Sequence, residues 1–265
     1  MEEAAVPDNL NEIEAAPSSY VVEELGWDTN YFGYKSARVI LKNELSEKEW
    51  IFLLNKLAEY EFVTINNLNN NNNNNNWIGR NTTAFLTDLN CKFKKKISIS
   101  LEKNTYSVSV DNKFLWNEDI IQIADNAFRY SRFFNDNNLN DEKKKAVYSE
   151  WVKNAFEQKG KYFVTYTNED EIVGFLLFSI NESDLSASIE LLAVNNKYKN
   201  KKIGKTLINE LEIFLDKKSM KYIIVGTQID NVPAMNFYFT NGFQLESRNS
   251  IFHYWPKFQT KCREY

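Results

Sequence analysis

The chain has 265 residues, 43% hydrophobic and 26% charged, and its 19 Phe, 14 Tyr and 6 Trp supply material for a sizeable globular core. Its formal net charge of −4 has the wrong sign for a general nucleic-acid binder. One histidine, His253, excludes a multi-histidine metal site, and two cysteines, Cys91 and Cys262, cannot build a disulfide framework or a four-thiolate zinc site, so no metal is expected.

Residues 1–19 read as a flexible acidic tail with Pro7 and Pro17 and no hydrophobic period. The first 24 residues contain neither Lys nor Arg and no apolar core, so no secretory signal is expected and the expected compartment is the cytoplasm. No apolar run approaches the ~20 residues of a membrane span, and no membrane insertion is expected. Structure is expected from Tyr20. Ser46 to Glu49 is a capping box that opens a helix with Trp50, Leu53, Leu54 and Leu57 inward. A strand over Phe62–Ile65 follows. The asparagine run 69–76 reads as a mobile surface loop, because Asn competes with its own backbone for hydrogen bonds and brings no core. Two strands are expected around Ala84–Leu89 and Lys92–Leu101, closing a small α+β N-terminal domain over 20–110.

The second unit, 111–258, opens with helices expected over Asp119–Tyr130 and Asp141–Lys159, the latter stopped by Gly160. Strands follow at Tyr162–Tyr166, Ile172–Ile180 and Ser188–Val194. A lysine-rich loop leads to a helix with Leu207, Ile208, Leu211, Phe214 and Leu215 inward. Tyr222–Ile229 reads as a strand, Asn231 caps a short helix ending at Gly242, and a last strand runs through Ile251–Trp255. His253 on that strand reads as structural. Residues 259–265 are a C-terminal tail.

The loop 197–205 holds five lysines immediately before a helix N-terminus, where free N–H groups and the helix dipole favour an anion. Gly204 lets a phosphate approach the backbone. A solvated charged turn is the plainer alternative. A Walker P-loop is excluded, because position 199 is lysine where that motif needs glycine.

Strand, loop and helix together, Ile189–Val194 followed by Lys199–Thr206, resemble motif A of the GCN5-related N-acetyltransferases, Gln/Arg-x-x-Gly-x-Gly/Ala. Lys199 stands at the Gln/Arg position, Lys202 at the first glycine and Gly204 at the second. Asn231, Ala234, Tyr238, Gly242 and Phe243 match the spacing of the family's motif B. A narrower resemblance, to TDP-fucosamine N-acetyltransferases, rests on Gly26–Gly33, on Asp125–Phe133 with Tyr148 and Trp151, on Leu191–Val194 and on Val225–Gln228.

The resemblance implies an α/β (α+β) fold with a splayed mixed sheet, preceded by the smaller N-terminal domain. It implies acetyl-CoA as co-substrate and the 4-amino group of a TDP-linked 4-amino-4,6-dideoxy sugar as acceptor, with a homodimer expected because relatives commonly dimerise. By position, Leu192, Ala193 and Val194 would pair with the pantetheine arm, and Lys199, Asn200, Lys201, Lys202, Ile203, Gly204, Lys205 and Thr206 would hold the pyrophosphate. Asn231 and Ala234 would lie near the sulphur, and Tyr238 would be the acid for the departing thiolate. Arg129 and Arg132 are candidates for the sugar nucleotide's diphosphate. The general base is either Glu190 or a water relay. Strict alternation puts residues 189, 191 and 193 opposite 190, 192 and 194, which leaves open whether Glu190 faces the cleft. An acceptor of another amine class and a non-catalytic CoA-binding module are the competing readings.

Overall fold

The computed structural model describes residues 19–98, 108–111 and 116–258. Both expected tails, apart from Ser19, lie outside the described residues, as does the end of the strand expected over Lys92–Leu101. The chain runs β1 (Tyr20–Glu24), α1 (Gly26–Phe32), β2 (Ser36–Leu41), α2 (Glu47–Leu57), β3 (Phe62–Asn67), α3 (Asn72–Asn81), β4 (Phe85–Lys96) and β5 (Val108–Asp111). It continues α4 (Glu118–Ala127), α5 (Asp141–Glu157), β6 (Lys161–Asn168), β7 (Glu171–Asn181), β8 (Ser186–Val194), α6 (Ile203–Lys217), β9 (Tyr222–Gln228), α7 (Val232–Thr240) and β10 (Gln244–Tyr254). No helix among the described residues is long and apolar enough to cross a membrane.

All ten strands form one mixed sheet in the order β1-β2-β3-β10-β4-β9-β8-β7-β6-β5. The last strand lies between β3 and β4, antiparallel to both. The sheet is therefore continuous across residue 110, where sequence reading divides the chain. Among the described residues only β2–β3 and β8–β9 are parallel. On one face, α6 and α7 bury Ile203, Leu207, Leu211 and Tyr238 over Phe93, Leu176 and Phe178. On the other, α4 and α5 cover Phe163, Phe175, Leu177, Leu191 and Ala193. A third cluster packs α2 and α3 on β2 and β3.

A fourth, aromatic cluster is built around Phe32, Phe62, Phe133 and Trp255. His253 and Asp136, both fully buried, lie beside it. The Asp136 carboxylate accepts from His253 Nδ1 at 2.8 Å, Trp255 Nε1 at 3.0 Å and the Asn138 backbone N–H at 2.9 Å. Burial pushes His253 down to about 4 against the pull of Asp136, so the ring is neutral and donates its Nδ1 proton. His253 is thus structural, tying β10 to the turn before α5.

The capping box at Ser46 forms as expected, with the Ser46 backbone N–H donating to Glu49 Oε2 at 2.7 Å. The asparagine run does not form the expected mobile loop. Its second half is the first turns of α3. Asn71 caps that helix by accepting from the Asn74 N–H at 2.9 Å. Asn74 is buried; its Oδ1 accepts from Leu45 N at 3.1 Å and its Nδ2 donates to Asn43 O at 2.9 Å. Trp77 stacks on Trp50 with centroids 4.3 Å apart, and Ile78 is fully buried. Weak intrinsic propensity is overridden because the residues after the run dock the helix and the amides satisfy neighbouring backbone groups.

Two further boundaries differ. The two strands expected over Ala84–Leu101 are one strand, β4, whose pairing with β10 is interrupted at two register shifts. The last strand begins at Gln244, seven residues before the hydrophobic signal, because its first half is largely exposed. Sequence reading set out no elements for β1, α1, β2 and β5.

Asn74→Ala is expected to cost ~1–3 kcal/mol, since it strands the buried Leu45 N–H and the buried Asn67 Oδ1. Exposed Asn76→Ala is expected to be neutral or slightly stabilising. Urea unfolding of both variants checks the pair; equal midpoints would mean the run does not pack.

Candidate active site

Parallel pairing between β8 and β9 runs from Ser186↔Tyr222 to Ile189↔Val225 and stops. Both strands continue, β8 held by β7 to Val194↔Gly174 and β9 held by β4 to Gln228↔Asn90. Their facing edges diverge into a wedge with unpaired β8 backbone on one wall. At its root Phe178 pairs with Ile189 and Leu177 with Leu191, so Glu190 is the extra residue of a β-bulge. The bulge breaks the strict alternation. Ile189 packs on the α6 side with Leu192 and Val194, whereas Leu191 and Ala193 pack on the α4–α5 side.

Glu190 lines the resulting cleft, which has a volume of about 910 Å³. One of its oxygens meets Lys161 Nζ at 2.5 Å; Oε2 is buried with no hydrogen-bond partner. Leu192, Ala193, Val194, Asn231, Ala234 and Tyr238 also line the cleft. Tyr238 is buried among Phe93, Phe237 and Phe243, and burial raises its hydroxyl well above the usual tyrosine value. The phenol therefore stays protonated. Both polar ends of the Asn231 side chain are engaged: Oδ1 caps α7 at the Ala234 N–H (3.2 Å) and Nδ2 donates to Thr227 Oγ1 (3.2 Å).

The lysine loop closes one end of the cleft. Lys199, Asn200, Lys202, Ile203, Gly204 and Lys205 line it; Lys201 and Thr206 do not. The Lys201 ammonium sits over the Tyr198 ring at 4.7 Å, and the Thr206 hydroxyl is turned back onto Lys202 O at 3.3 Å. The first intrahelical bond of α6 is Thr206 N to Lys202 O, which leaves the N–H groups of 203–205 without helical acceptors. No carboxylate lies in that first turn. Lys202 is the N-cap with φ 63° and ψ 7°, the left-handed region that favours glycine, and Asn200 has φ 64°. A Cβ on Gly204 would stand 3.1 Å from the Phe237 ring, so glycine there lets α6 approach α7 closely.

Arg129 is exposed on the opposite wall, beside Phe128, Tyr130 and Tyr148. Arg132 does not line the cleft. Its guanidinium lies 4.2 Å above the Phe133 ring, Nε is buried without a hydrogen-bond partner, and the nearby charges include Asp28 and Asp88. Burial raises Asp28, opposed by Arg132 and Arg38, and leaves Asp28 Oδ2 unpartnered. Burial pushes Asp88 up to about 7, opposed by Arg132 and reinforced by Asp230. Sequence reading missed Asp88 and Lys161 entirely; each stands alone among polar neighbours and gives no local signal. Asp28 and Tyr148 lay inside the quoted motifs but received no role.

Residues 119–243 match the model of the Acetyltransferase (GNAT) family. The chain is 26% identical over 144 residues to the spore coat polysaccharide biosynthesis protein SpsD of Bacillus subtilis (strain 168), covering 54% of this chain and 49% of that protein. The match thus spans about half the length of that relative. The spermidine N(1)-acetyltransferase of Thermoplasma acidophilum is 27% identical over 116 residues, 38% of this chain and 72% of that protein. A GCN5-related N-acetyltransferase from Sphaerobacter thermophilus superposes with a TM-score of 0.52 at 13% identity, over 89% of this chain and 76% of that one, and so has the same fold.

Lys202→Gly is expected to stabilise the chain by ~1 kcal/mol, by removing a side chain from the left-handed region. An unchanged or lower urea midpoint would mean the Lys202 side chain holds the loop. Asp88→Asn is expected to show a pH signature. The folded carboxyl binds its proton more tightly than the unfolded one, so its contribution is full below about pH 4 and lost as pH rises through about 7. The melting temperature of the variant relative to the parent should therefore climb between pH 5 and pH 8; a gap independent of pH would place the carboxyl in solvent.

Proposed function

We propose that the chain is an acetyl-CoA-dependent N-acetyltransferase, a reading supported by the match of residues 119–243 to the acetyltransferase (GNAT) family model. We further propose that its acceptor is the 4-amino group of a nucleotide-linked 4-amino-4,6-dideoxy sugar, whose product feeds surface-polysaccharide synthesis. The observation that carries the activity is the wedge between β8 and β9, bounded by the carboxylate-free N-terminus of α6 and by the protonated Tyr238. The unpaired edge of β8 offers backbone groups to an amide-bearing arm, and an N–H near Leu192 or Ala193 polarises the thioester carbonyl. The N–H groups of Ile203, Gly204 and Lys205, with the charge of Lys199 and Lys205, suit a pyrophosphate.

In the reaction the neutral amine attacks the thioester carbon. The tetrahedral intermediate collapses with cleavage of the C–S bond, and Tyr238 donates its proton to the leaving thiolate. The proton lost by the amine passes to Glu190, whose Oε2 is free of protein partners, or to water. The sugar acceptor is supported by the likeness to a polysaccharide biosynthesis protein and by the motifs around Asp28, Arg132 and Tyr148. A polyamine acceptor is the second reading, favoured by the likeness to a spermidine acetyltransferase.

Thiol release from acetyl-CoA, measured with a dTDP-linked 4-amino-4,6-dideoxy sugar and with spermidine, tests the proposal. Turnover with the sugar alone is expected; turnover with spermidine alone would replace the acceptor, and no thiol release with any amine would remove the activity. Tyr238→Phe is expected to lower turnover by ~10²–10⁴ while acetyl-CoA affinity holds, since the ring still packs. Near-normal turnover would leave Tyr238 a packing residue only.

A further inference from the structure

Among the described residues Glu190 is the one carboxylate that lines the cleft, where the other charged side chains are Arg129, Lys199, Lys202 and Lys205. The sheet holds it in a particular way. Lys161 opens β6 opposite Ser179 of β7, and Ser179 pairs in turn with Ser188 of β8. Residues paired across a sheet share a face, and Phe163 and Leu177, each two residues along, mark that face as the α4–α5 side. From β6 to β8 is two strand spacings, ~10 Å. Lys161 and Glu190 close that span by reaching toward each other across β7, and Nζ donates to Oε1 at 2.5 Å. Both side chains are mostly buried, 22% and 12% exposed, so the pair is screened less than a surface ion pair.

The contact treats the two carboxylate oxygens unequally. Oε1 is taken by Lys161, while Oε2 is buried with no hydrogen-bond partner. A folded chain rarely leaves such an acceptor unfilled. Because Glu190 lines the cleft, a molecule seated there can supply the missing donor, and an acceptor amine carries N–H groups. Proton transfer needs the two heavy atoms within ~2.6–3.2 Å in a defined orientation. Free of Lys161, the carboxylate would turn about its soft last torsion and present either oxygen.

We propose that Lys161 is a positioning residue for the transfer step: by holding Oε1 of Glu190 it fixes Oε2 to take the proton of the attacking amine, in place of a water relay. The proposal rests on the N-acetyltransferase reading above and deepens it. The amine lone pair forms the N–C bond and one N–H proton passes to Oε2. The C–S bond breaks with its electron pair on sulphur, which takes the proton of Tyr238. Glu190 then gives its proton to solvent and Tyr238 regains one from it, so the enzyme is unchanged.

The test uses the full chain, with steady-state thiol release from acetyl-CoA read on the amine that the parent acetylates, a dTDP-linked 4-amino-4,6-dideoxy sugar or spermidine. Lys161→Met, which keeps the stem, is expected to lower kcat at least tenfold and to leave the KM for acetyl-CoA within twofold. Lys161→Arg should recover at least fivefold of that loss. Glu190→Gln should also lower kcat at least tenfold, and Lys161→Met added to it should cost no more than a further twofold, since Lys161 acts through Glu190. If Lys161→Met does not fold, Lys161→Gln takes its place in both comparisons. A kcat within twofold of the parent in the folded Lys161 variant, or losses that multiply in the double variant, would overturn the positioning role and leave the acetyltransferase reading standing. Near-normal kcat in Glu190→Gln would do the same and give the proton to water. A parent that releases thiol with no amine would overturn both.

Discussion

The backbone pairing that β8 gives up after Ile189 is the constraint from which the site follows. A strand inside a sheet ordinarily satisfies both edges; from Glu190 to Val194 β8 is paired with β7 alone. The wedge stays open because each wall is secured from behind. β7 holds β8 to its end, β4 holds β9 to its end, and the bulge at Glu190 bends β8 between them. The free edge is thereby a rigid surface of hydrogen-bonding groups, already arranged for a partner.

Several parts of the site run against stability. Lys202 occupies the left-handed region, Glu190 Oε2 and Arg132 Nε are buried without partners, and Asp88 is pushed far from its ordinary ionisation. Such features persist where the surroundings over-determine them. Here they are framed by three well-filled clusters and by the Asp136–His253–Trp255 hydrogen bonds, which fix β10 and the turn carrying Arg132. Lys202 and Glu190 both line the cleft.

The N-terminal strands have a part in this. With β10 between β3 and β4, a single sheet runs through both halves of the chain, and α1 and β4 bring the charges of Asp28 and Asp88 to bear on Arg132. Residues outside 119–243 therefore shape the electrostatics around Arg132.

What the sequence determined by itself is what local physics governs. Ser46 with Glu49, Asn231 three residues before Ala234 and the helical stripe from Leu207 to Leu215 act within a few residues, and each forms where the spacing put it. The basic entry to α6 was legible for the same reason, whereas the cleft and the place of Tyr238 came from the resemblance to the acetyltransferase motifs. The tertiary structure decided what depends on partners far along the chain. The asparagine run is helical because Trp77 finds Trp50 and Asn74 finds Leu45. Glu190 faces the cleft because a bulge against β7 shifts the register, which no alternation rule anticipates. Arg132 is buried near two aspartates, one more than 100 residues earlier, because burial of a charge is tolerable only where opposite charge is brought to it.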